Sequence, residues 1–443
     1  MRTLILETIS HIGKTVTVEG WIHLRRDHGK LLFLNLRDRS GYLQIIVSPK
    51  TSEKAYEIAK EIRPEFAVKI EGVVKKRPEN AIDKNSPVGS VELEASEIEI
   101  ISKAETLPFD MGGKDLNLEL PTLLDNRGLT LRHLKVAAIF KVQETIIDAF
   151  RRACKEKDFT EFQSPVIVPQ GAEGGSEVFE IKYFDHKAYL SQSPQFYKQI
   201  MVGVFERVFT VNKTLRAEPS VTTRHLAEVT TLDAEFGFID SWLDVVDMAE
   251  YVVKFMLDEV KKNNKDVLKI YGATIPLASK KIPRIKLREA QEIIFKRTGR
   301  DNRQEPDLRP EDEREICKWS IEEKGSDLVF VTHYPVSKRP FYTFEDPQDR
   351  GYTLSFDLIG RGTEWMTGGQ RINDYNKLVE NAKKRGIDLK KSEIYLQAFR
   401  YGMPPGGGFS FGSERITMHV LGLQNVRQAS LFPRDMERVD ERL

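Results

Sequence analysis

Hydrophobic residues alternate with polar ones in five stretches of the first hundred residues, which is the pattern of half-buried β-strands. The stretches are 14–23, 30–37, 41–47, 66–74 and 91–101, and a stretch of helical spacing, SEKAYEIAKEI (52–62), lies between the third and the fourth. Five strands with a helix at that place follow the order of an OB-fold, a small barrel that binds oligonucleotides. The pattern therefore predicts a five-stranded OB-fold β-barrel over residues 1–105.

The same period of two separates inward from outward side chains in the predicted barrel. In KLLFLNLRD the leucines share one face, which leaves Phe33 on the other. The outward set, together with the loop after the first strand, comprises Trp21, His23, Arg25, Phe33 and Gln44. An exposed aromatic ring beside amide and basic groups offers the stacking, base-edge hydrogen bonds and phosphate neutralisation that single-stranded RNA requires. The alternative is that Phe33 packs under a loop or against a second domain.

Beyond a connecting segment at 106–130, which is interrupted by proline and glycine, the pattern changes to helices mixed with strands. Apolar spacing predicts long amphipathic helices over 134–156 and 241–262, and shorter ones near 286–298 and 310–323. Strand-like stretches occur at 207–212, 229–239, 328–333, 352–359 and 407–412. Since they follow no regular βαβ rhythm, residues 131–443 are predicted to form an α+β domain with an antiparallel sheet flanked by helices.

Composition narrows the class of protein. A chain of 443 residues is longer than one hydrophobic core usually holds, so two or three domains are expected. The 68 Lys plus Arg are balanced by 67 Asp plus Glu, which argues against a purely electrostatic nucleic-acid binder. The first fifty residues nevertheless carry eight basic and four acidic side chains. Two cysteines are too few for a disulfide framework or a cysteine-built zinc site, and Cys154 falls on an apolar helical stripe. With neither a signal peptide nor a long apolar run, the chain is expected to be cytosolic.

Candidate chemistry lies in three segments where arginines and carboxylates alternate with glycines. The segments are RAEPSVTTRHLAE (216–228), SFDLIGRGTEWMTGGQR (355–371) and GGGFSFGSER (406–415). Arginine suits bidentate contact with phosphate, and paired oxygen ligands suit Mg²⁺. Each segment alone also fits a solvated hairpin or a surface ion pair. Together in one domain, with glycines that allow close backbone approach, they favour a nucleoside-triphosphate site.

These segments resemble the class II aminoacyl-tRNA synthetases, and within them the aspartyl-tRNA synthetases of archaeal type. FTEFQSPVIVP (159–169) is similar to the first class motif, residues 207–228 to the second and residues 406–435 to the third. LSQSPQFYKQ (190–199) resembles the aspartate-binding segment. The resemblance covers nearly the whole chain. It implies ATP-dependent charging of tRNA(Asp) with aspartate, Mg²⁺ as the metal, and a homodimer built through the first motif.

Carried over position by position, the resemblance assigns roles in the active site. The catalytic residues would be Arg216, Glu364 and Arg415. ATP would be bound by Arg216, Glu218, Arg224, His225, Glu364 and Arg415. The substrate aspartate would be surrounded by Glu173, Gln195, Lys198, Arg216, Asp233 and Arg371. Mg²⁺ would be held by Asp357, Glu364 and Thr367. The assignment of Arg371 to the substrate side chain agrees with the preference of a guanidinium fork for a carboxylate over a neutral amide.

In the barrel, the resemblance places four residues at the central anticodon base: Arg25, Phe33, Gln44 and Glu92. Phe33 would stack on that base and Gln44 would hydrogen-bond it. His23 and Pro87 resemble the non-discriminating type of the family, which also charges tRNA(Asn) with aspartate.

The sequence departs from the family pattern at five positions near the site: Leu215, Pro219, Thr367, Gly406 and Ser410. None of them removes a charged catalytic position. Three alternatives stay open: an asparaginyl-tRNA synthetase, an amide-forming relative of asparagine synthetase, and a non-enzymatic RNA-binding paralogue. Lys198 and Arg371 count against the first because they suit a charged substrate. The barrel counts against the second, and the complete arginine and carboxylate set counts against the third.

Overall fold

The alternating strands at the N-terminus close into a barrel in the computed structural model, which describes residues 1–84, 86–171, 178–218 and 222–439. The barrel elements are β1 (Thr15–Asp27), β2 (Leu32–Asp38), β3 (Gly41–Val47), α1 (Glu53–Glu61), β4 (Ala67–Lys76) and β5 (Val91–Ser102). Around the barrel the strands follow the order β1-β2-β3-β5-β4, and a 3-10 helix, Ile5–His11, precedes them. The predicted OB-fold, including its helix between the third and fourth strands, is confirmed.

Burial in the barrel follows the predicted period of two. In β2 the residues Leu32, Leu34 and Leu36 are at most 1% exposed, while Phe33 between them is half-buried. Trp21 of β1 is 40% exposed, as expected for an outward residue. The inward leucines, valines and isoleucines of all five strands form one apolar core, and α1 covers it with Ala55 and Ala59.

The second compact unit, Glu119–Leu443, mixes helices and strands; the first unit is Met1–Leu118. Its helices are α2 (Leu120–Asp125), α3 (Arg127–Thr130), α4 (Leu134–Lys155), α5 (Gln195–Phe205), α6 (Trp242–Asn263), α7 (Lys265–Tyr271), α8 (Leu287–Thr298), α9 (Pro310–Lys324), α10 (Tyr375–Lys384), α11 (Glu393–Arg400) and α12 (Ser413–Leu421). Its strands are β6 (Thr160–Glu161), β7 (Ile167–Val168), β8 (Glu180–Tyr183), β9 (His186–Leu190), β10 (Arg207–Leu215), β11 (Glu228–Gly237), β12 (Arg284–Lys286), β13 (Leu328–Thr332), β14 (Ser355–Gly360), β15 (Thr363–Arg371) and β16 (Gly406–Gly412). The proposed connecting segment at 106–130, between domains at 1–105 and 131–443, stays a prediction.

Within the described residues, eight strands form one sheet in the order β12-β13-β14-β15-β16-β11-β10-β6. The neighbouring pairs from β13 to β10 are antiparallel, as predicted, but the outermost pairs β12–β13 and β10–β6 are parallel. Parallel neighbours need a crossover connection. Here α8 and α9 lie between β12 and β13 in the chain, and α5 lies between β6 and β10. Strands β7, β9 and β8 form a separate small sheet.

The two long helices contribute to the main core of this unit. The predicted stripe of α4, from Ile139 to Cys154, is at most 3% exposed, and so is the stripe of α6 from Val245 to Val260. Both helices share a core with the sheet residues Phe209, Phe356 and Phe409. Burial raises the pKa of the Cys154 thiol far above its usual range, which agrees with the prediction of a core cysteine. No helix among the described residues is long and apolar enough to cross a membrane.

Several elements were not predicted; α5 is one that carries assigned site residues, and β15 is another. Its sequence, TEWMTGGQR, places two glycines in a central strand, which weakens the strand pattern. A Cβ atom on Gly368 would lie 2.4 Å from Cζ of Phe356, so the missing side chain makes room for a core ring. Packing against β14 and β16 therefore holds a strand that local propensity disfavours.

Candidate functional site

A cavity of about 360 Å³ lies over the central strands of the large sheet. Its wall is formed by the start of α5, the connection between β10 and β11, the segment before β14, strands β15 and β16, and the first turn of α12. Ten of the residues assigned by resemblance line it: Gln195, Lys198, Arg216, Glu218, Arg224, His225, Glu364, Thr367, Arg371 and Arg415. The fold thus brings together residues that are 220 positions apart in the chain.

Two assigned residues are not among those that line the cavity, and one is outside the described residues. Asp233 is fully buried and pairs with Lys198, and Asp357 is 6% exposed on β14, beside β15. Glu173 lies outside the described residues, as does the departure at Pro219. The remaining departures are placed in β10, β15 and β16, and Ser410 and Thr367 line the cavity as cross-strand partners.

Four buried charges form a continuous cluster at one end of the cavity. The Lys198 ammonium lies 3.0 Å from Oδ1 of Asp233 and 3.3 Å from Oε2 of Glu235. Arg371 Nε donates to Oε1 of Glu235 at 2.8 Å, and its Nη2 donates to the Gly408 carbonyl at 3.0 Å. These bonds leave Nη1 of Arg371 for a ligand. The two cations and two carboxylates compensate one another, which burial at this depth requires.

Local structure explains how the cluster is assembled. Gln195 and Lys198 occupy positions i and i+3 at the start of α5, so they share one face of the helix. Asp233 and Glu235 are separated by two on β11, so they share one face of the strand. Glu235 was missed by sequence reasoning, although this spacing from Asp233 was a signal. Gly408 is required beside it, because a Cβ atom there would lie 2.1 Å from Oε2 of Glu235.

Gln195 adds a polar contact to the same end of the cavity. Its Nε2 is buried and has no hydrogen-bond partner among the described residues. Oδ2 of Asp233 is likewise buried without a hydrogen bond. Buried polar atoms without partners are expensive, so an open donor and an open acceptor beside a cavity are typical of a ligand site.

The connection between β10 and β11 supplies the cationic wall at the other end. Arg216 lies 3.8 Å from Glu218, and the His225 Nε2 lies 3.6 Å from the same carboxylate. Burial lowers the pKa of His225. Glu218 opposes this effect and the neighbouring arginines add to it, so the neutral imidazole is favoured. Arg415, in the first turn of α12, donates from Nη1 to the Glu364 carbonyl at 2.9 Å. The arginine is thereby fixed to the strand that carries the candidate metal ligands.

The candidate metal ligands fit a divalent cation that prefers oxygen. The Thr367 hydroxyl donates to Oε1 of Glu364 at 2.6 Å, and Asp357 is the direct cross-strand partner of Thr367. Oδ1 of Asp357 lies 2.8 Å from Nη2 of Arg339 as an ion pair. No three acidic, cysteine or histidine residues converge in the described part of the chain. Two carboxylates and a hydroxyl nevertheless suit Mg²⁺, which completes its shell with water and substrate phosphates.

The protonation of these carboxylates is set by opposing effects. Burial raises the pKa of Asp357, although the Arg339 guanidinium opposes this. Burial acts in the same direction on Glu364, but Arg415, Thr367 and the other arginines outweigh it and lower its pKa. Arg339 was not predicted, since it comes from a segment without regular structure before β14. Among the described residues, seven cationic side chains and two carboxylates line the cavity. The cations are Lys198, Arg216, Arg224, Lys338, Arg339, Arg371 and Arg415, and the carboxylates are Glu218 and Glu364.

A second groove, of about 200 Å³, lies on the barrel face that holds Phe33 and Gln44. The Gln44 amide is fixed on both sides, because its Nε2 donates to Glu92 at 2.9 Å and its Oε1 accepts from Arg77 at 3.3 Å. His28 lies edge-on to Phe33 with ring centroids 5.4 Å apart. Arg77, which sequence reasoning missed, lines the groove together with Phe33 and Gln44. Glu92 is buried and is not among the lining residues, but its Oε2 lies 3.7 Å from Nε of Arg77.

The other three barrel residues lie beside this groove. Arg25 does not line it and instead pairs with Asp27 at 3.2 Å. His23 lies edge-on to Tyr42 with centroids 5.1 Å apart, and Tyr42 lines the groove. Pro87 is exposed, next to the groove residues Ser86 and Val88. The structure therefore places these residues within or next to one face of the barrel.

Comparison with known proteins gives two family matches. Residues 119–436 match the tRNA synthetases class II (D, K and N), and residues 16–101 match the OB-fold nucleic acid binding domain. The aspartate--tRNA(Asp/Asn) ligase of Thermus thermophilus is 42% identical over 440 residues, which cover 99% of this chain and all of that protein. The aspartate--tRNA(Asp) ligase of Pyrococcus abyssi is 36% identical over 430 residues, 96% of each chain.

A solved synthetase structure also has a fold similar to that of this chain. The crystal structure of asparaginyl-tRNA synthetase from Pyrococcus horikoshii, complexed with asparaginyl-adenylate, has a TM-score of 0.88 and 33% identity, and the match covers 97% of each chain. The family match and these relatives therefore identify a class of enzyme that charges tRNA. The chain belongs to the class II tRNA synthetases of the D, K and N group.

The buried cluster allows a prediction about stability. Lys198→Met should lower the free energy of unfolding by about 3–5 kcal/mol, because it leaves Asp233 buried without its cation. Urea denaturation followed by circular dichroism measures this change. Lys384→Met is the matched control, since Lys384 pairs with Glu380 at the surface and its removal should leave the stability essentially unchanged. Equal stability of the two variants would contradict the role given to the cluster.

Proposed function

We propose that the protein is an aspartate–tRNA ligase that activates L-aspartate with ATP and transfers it to tRNA(Asp) and tRNA(Asn). The observation that carries the proposal is the cavity wall, where the described residues include two carboxylates and seven cations, among them the buried Lys198 and Arg371. Such a surface suits a triphosphate together with a substrate that has two carboxylates. The matched proteins of Thermus thermophilus and Pyrococcus abyssi are aspartate--tRNA ligases by name, which supports the choice of amino acid.

ATP would occupy the end of the cavity formed by the connection between β10 and β11. Arg216 would contact the α-phosphate, and Glu218 would accept a hydrogen bond from the adenine amino group. Arg224 and neutral His225 would contact the distal phosphates. Arg415, held by the Glu364 carbonyl, would stack on adenine and reach the γ-phosphate. These arginines also oppose the charge that develops during transfer.

L-Aspartate would occupy the end of the cavity next to the four-charge cluster. Its side-chain carboxylate would meet the free Nη1 of Arg371 and the Lys198 ammonium. The open donor of Gln195 and the open acceptor of Asp233 would bind the main-chain groups, with Glu173 as a further proposed contact. Asparagine would place the NH2 donor of its amide against Arg371 and Lys198, which are themselves donors, so it is expected to bind poorly.

The reaction is then displacement at phosphorus. The α-carboxylate oxygen of aspartate attacks the α-phosphorus, the bond between phosphorus and the bridging oxygen breaks, and pyrophosphate leaves with aspartyl-adenylate remaining. A ribose hydroxyl of the terminal adenosine of tRNA then attacks the carbonyl carbon, and AMP leaves. The chain itself contributes orientation and fixed positive charge rather than a covalent intermediate. Mg²⁺, which Asp357, Glu364 and Thr367 would hold, neutralises phosphate charge when it is bound.

The barrel groove is the proposed anticodon site. Phe33 supplies a stacking platform, and Gln44 is oriented by Glu92 and Arg77 to read a base edge. We infer that His23 and Pro87 relax the selection, so that tRNA(Asn) is also charged. The Asp/Asn designation of the matched Thermus thermophilus protein supports this inference.

We further propose a cytosolic homodimer built through the segment 159–169. Exposed apolar side chains support a protein interface near the end of α5: Val204 is 61%, Phe205 46% and Phe238 70% exposed. The backbone brings them together, because the Gly237 amide donates to the Glu206 carbonyl at 2.9 Å. Contiguous exposed apolar surface is typical of a surface that binds a protein partner.

Two related activities need separate tests. Asparaginyl-tRNA synthetase is considered because one matched structure has that name. ATP–pyrophosphate exchange with aspartate and with asparagine distinguishes the two, and stimulation by asparagine alone would exclude our assignment. Formation of asparagine from aspartate, ATP and ammonia would indicate the amide-forming enzyme, whereas a protein that only binds RNA would form no aspartyl-adenylate.

The proposed tRNA range predicts the result of charging purified tRNAs side by side. Both tRNA(Asp) and tRNA(Asn) should accept radiolabelled aspartate, because His23 and Pro87 belong to the relaxed type. Acid-gel separation of charged and uncharged tRNA measures the extent of each reaction. Charging of tRNA(Asp) alone would refute the relaxed range but not the enzyme class.

The aspartate contact predicts a selective effect of Arg371→Lys. Lysine keeps the charge that Glu235 needs but loses the planar fork, so the KM for aspartate should rise roughly tenfold or more. The KM for ATP should stay within about twofold, since Arg371 lies at the other end of the cavity from Arg216. Pyrophosphate exchange measures both constants. An unchanged KM for aspartate would remove Arg371 from the substrate site.

The anticodon contact predicts that Phe33→Ala separates the two half-reactions. Loss of a stacking platform weakens binding of a base by about 1–3 kcal/mol, so the KM for tRNA should rise while pyrophosphate exchange is retained. Leu31→Ala is the control, since Leu31 is also exposed on the barrel but is not among the residues that line the groove. Equal charging by both variants would argue against a role for the ring.

A further inference from the structure

A carboxylate from outside the three class motifs reaches the edge of the cavity. Glu313 lies in the first turn of α9, and its side chain is 13% exposed. Its Oε2 accepts a hydrogen bond from Nη1 of Arg224 at 2.9 Å, and its Oε1 accepts one from the backbone amide of Glu364 at 3.3 Å. Glu313 therefore joins the arginine of the β10–β11 connection to the strand that carries the candidate metal ligands.

Arg224 is held through one nitrogen of its guanidinium, Nη1. The same Nη1 donates to the Thr363 hydroxyl at 2.9 Å, so two acceptors on two different elements fix this atom. The side chain still lines the cavity and is 27% exposed. Because a guanidinium has five N–H donors in a rigid plane, fixing Nη1 orients Nη2 and Nε as well.

Helix α9 is itself tightly placed against the turn between β14 and β15. That turn has positive φ at both Arg361 and Gly362, as in the tight turns that join antiparallel strands. A Cβ atom on Gly362 would lie 2.8 Å from Cγ of Arg314, and the Gly362 amide donates to Sγ of Cys317 at 3.2 Å. This contact fixes the first turn of α9, and with it Glu313, relative to β15.

We propose that Glu313 is a positioning residue for ATP: it holds Arg224 in place before the triphosphate binds. The proposal rests on the function proposed above, in which Arg224 contacts the distal phosphates. An unrestrained arginine would lose side-chain entropy on clamping a phosphate, whereas a pre-oriented one has already lost it. Glu313 also accepts a hydrogen bond from the backbone amide of Glu364, so it fixes Arg224 relative to the residue that carries a candidate metal carboxylate.

The test is the kinetics of aspartate-dependent pyrophosphate exchange in the full-length protein. Glu313→Ala should raise the KM for ATP about tenfold, the size expected for loss of a charge-assisted hydrogen bond, and leave the KM for aspartate unchanged. Glu313→Gln, which keeps one acceptor, should lie between this variant and the wild type. Glu323→Ala is the matched control, because Glu323 is an exposed residue of the same helix.

A double-mutant cycle separates positioning from general support of the fold. If Glu313 acts through Arg224, Glu313→Ala should add nothing to the KM for ATP of Arg224→Ala. Additive effects would overturn the proposal. If Glu313→Ala does not fold, the same kinetics are measured on Glu313→Gln and Thr363→Val. Both substitutions preserve volume, and each weakens or removes one of the two hydrogen bonds of Nη1.

The outcomes distinguish this inference from the proposed function. A wild-type protein without aspartate-dependent exchange would refute the function. A wild type that exchanges normally, with an unchanged KM for ATP in Glu313→Ala, would refute the positioning role alone. A lower KM for ATP in the variant would also refute it, because Glu313 would then be holding Arg224 away from the triphosphate.

Discussion

The buried cluster of Asp233, Lys198, Glu235 and Arg371 constrains the structure of the catalytic unit more than any other interaction. Removing charges from water costs several kcal/mol for each ion, and only close, well-oriented partners offset this cost. The four charges come from α5, β11 and β15, and β16 must lack a side chain at Gly408 to admit them. A slip of one residue in β11 would move both carboxylates to the opposite face of the sheet. The register of the central strands and the charge of the cavity are therefore fixed together.

The sequence predicted the barrel more fully than the catalytic sheet. Each barrel strand has one face in the core, so the period of two is visible along the chain. Strands β13 and β14 were also predicted, from their apolar runs, although they are buried on both faces and show no alternation. The sheet strands that were missed are β6 and β12, which have two and three residues, and β15, which contains two glycines. The helices α4 and α6 were predicted because each buries one stripe of a long, regular pattern.

The residues of the candidate site were likewise predicted only in part from the sequence. Many residues of the site were found by resemblance, and the structure places ten of them around one cavity. Glu313, Arg339 and Arg77 were missed because their contacts depend on tertiary structure. Glu313 is 89 positions from Arg224, and Arg339 comes from a segment that has neither helical nor strand periodicity. Such contacts leave no local pattern, so only the fold can show them.

A common feature links the residues that face a ligand in both units. Gln44 is held by Glu92 and Arg77, Lys198 by Asp233 and Glu235, and Arg224 by Glu313 and Thr363. Glutamine, lysine and arginine have many rotamers, and fixing one of them on binding costs about 1–2 kcal/mol of entropy for each side chain. A second partner that fixes the rotamer during folding removes this cost from the binding step. Binding at the proposed sites is therefore expected to depend on the holding residues as well. Three of them, Arg77, Glu235 and Glu313, were not found by resemblance.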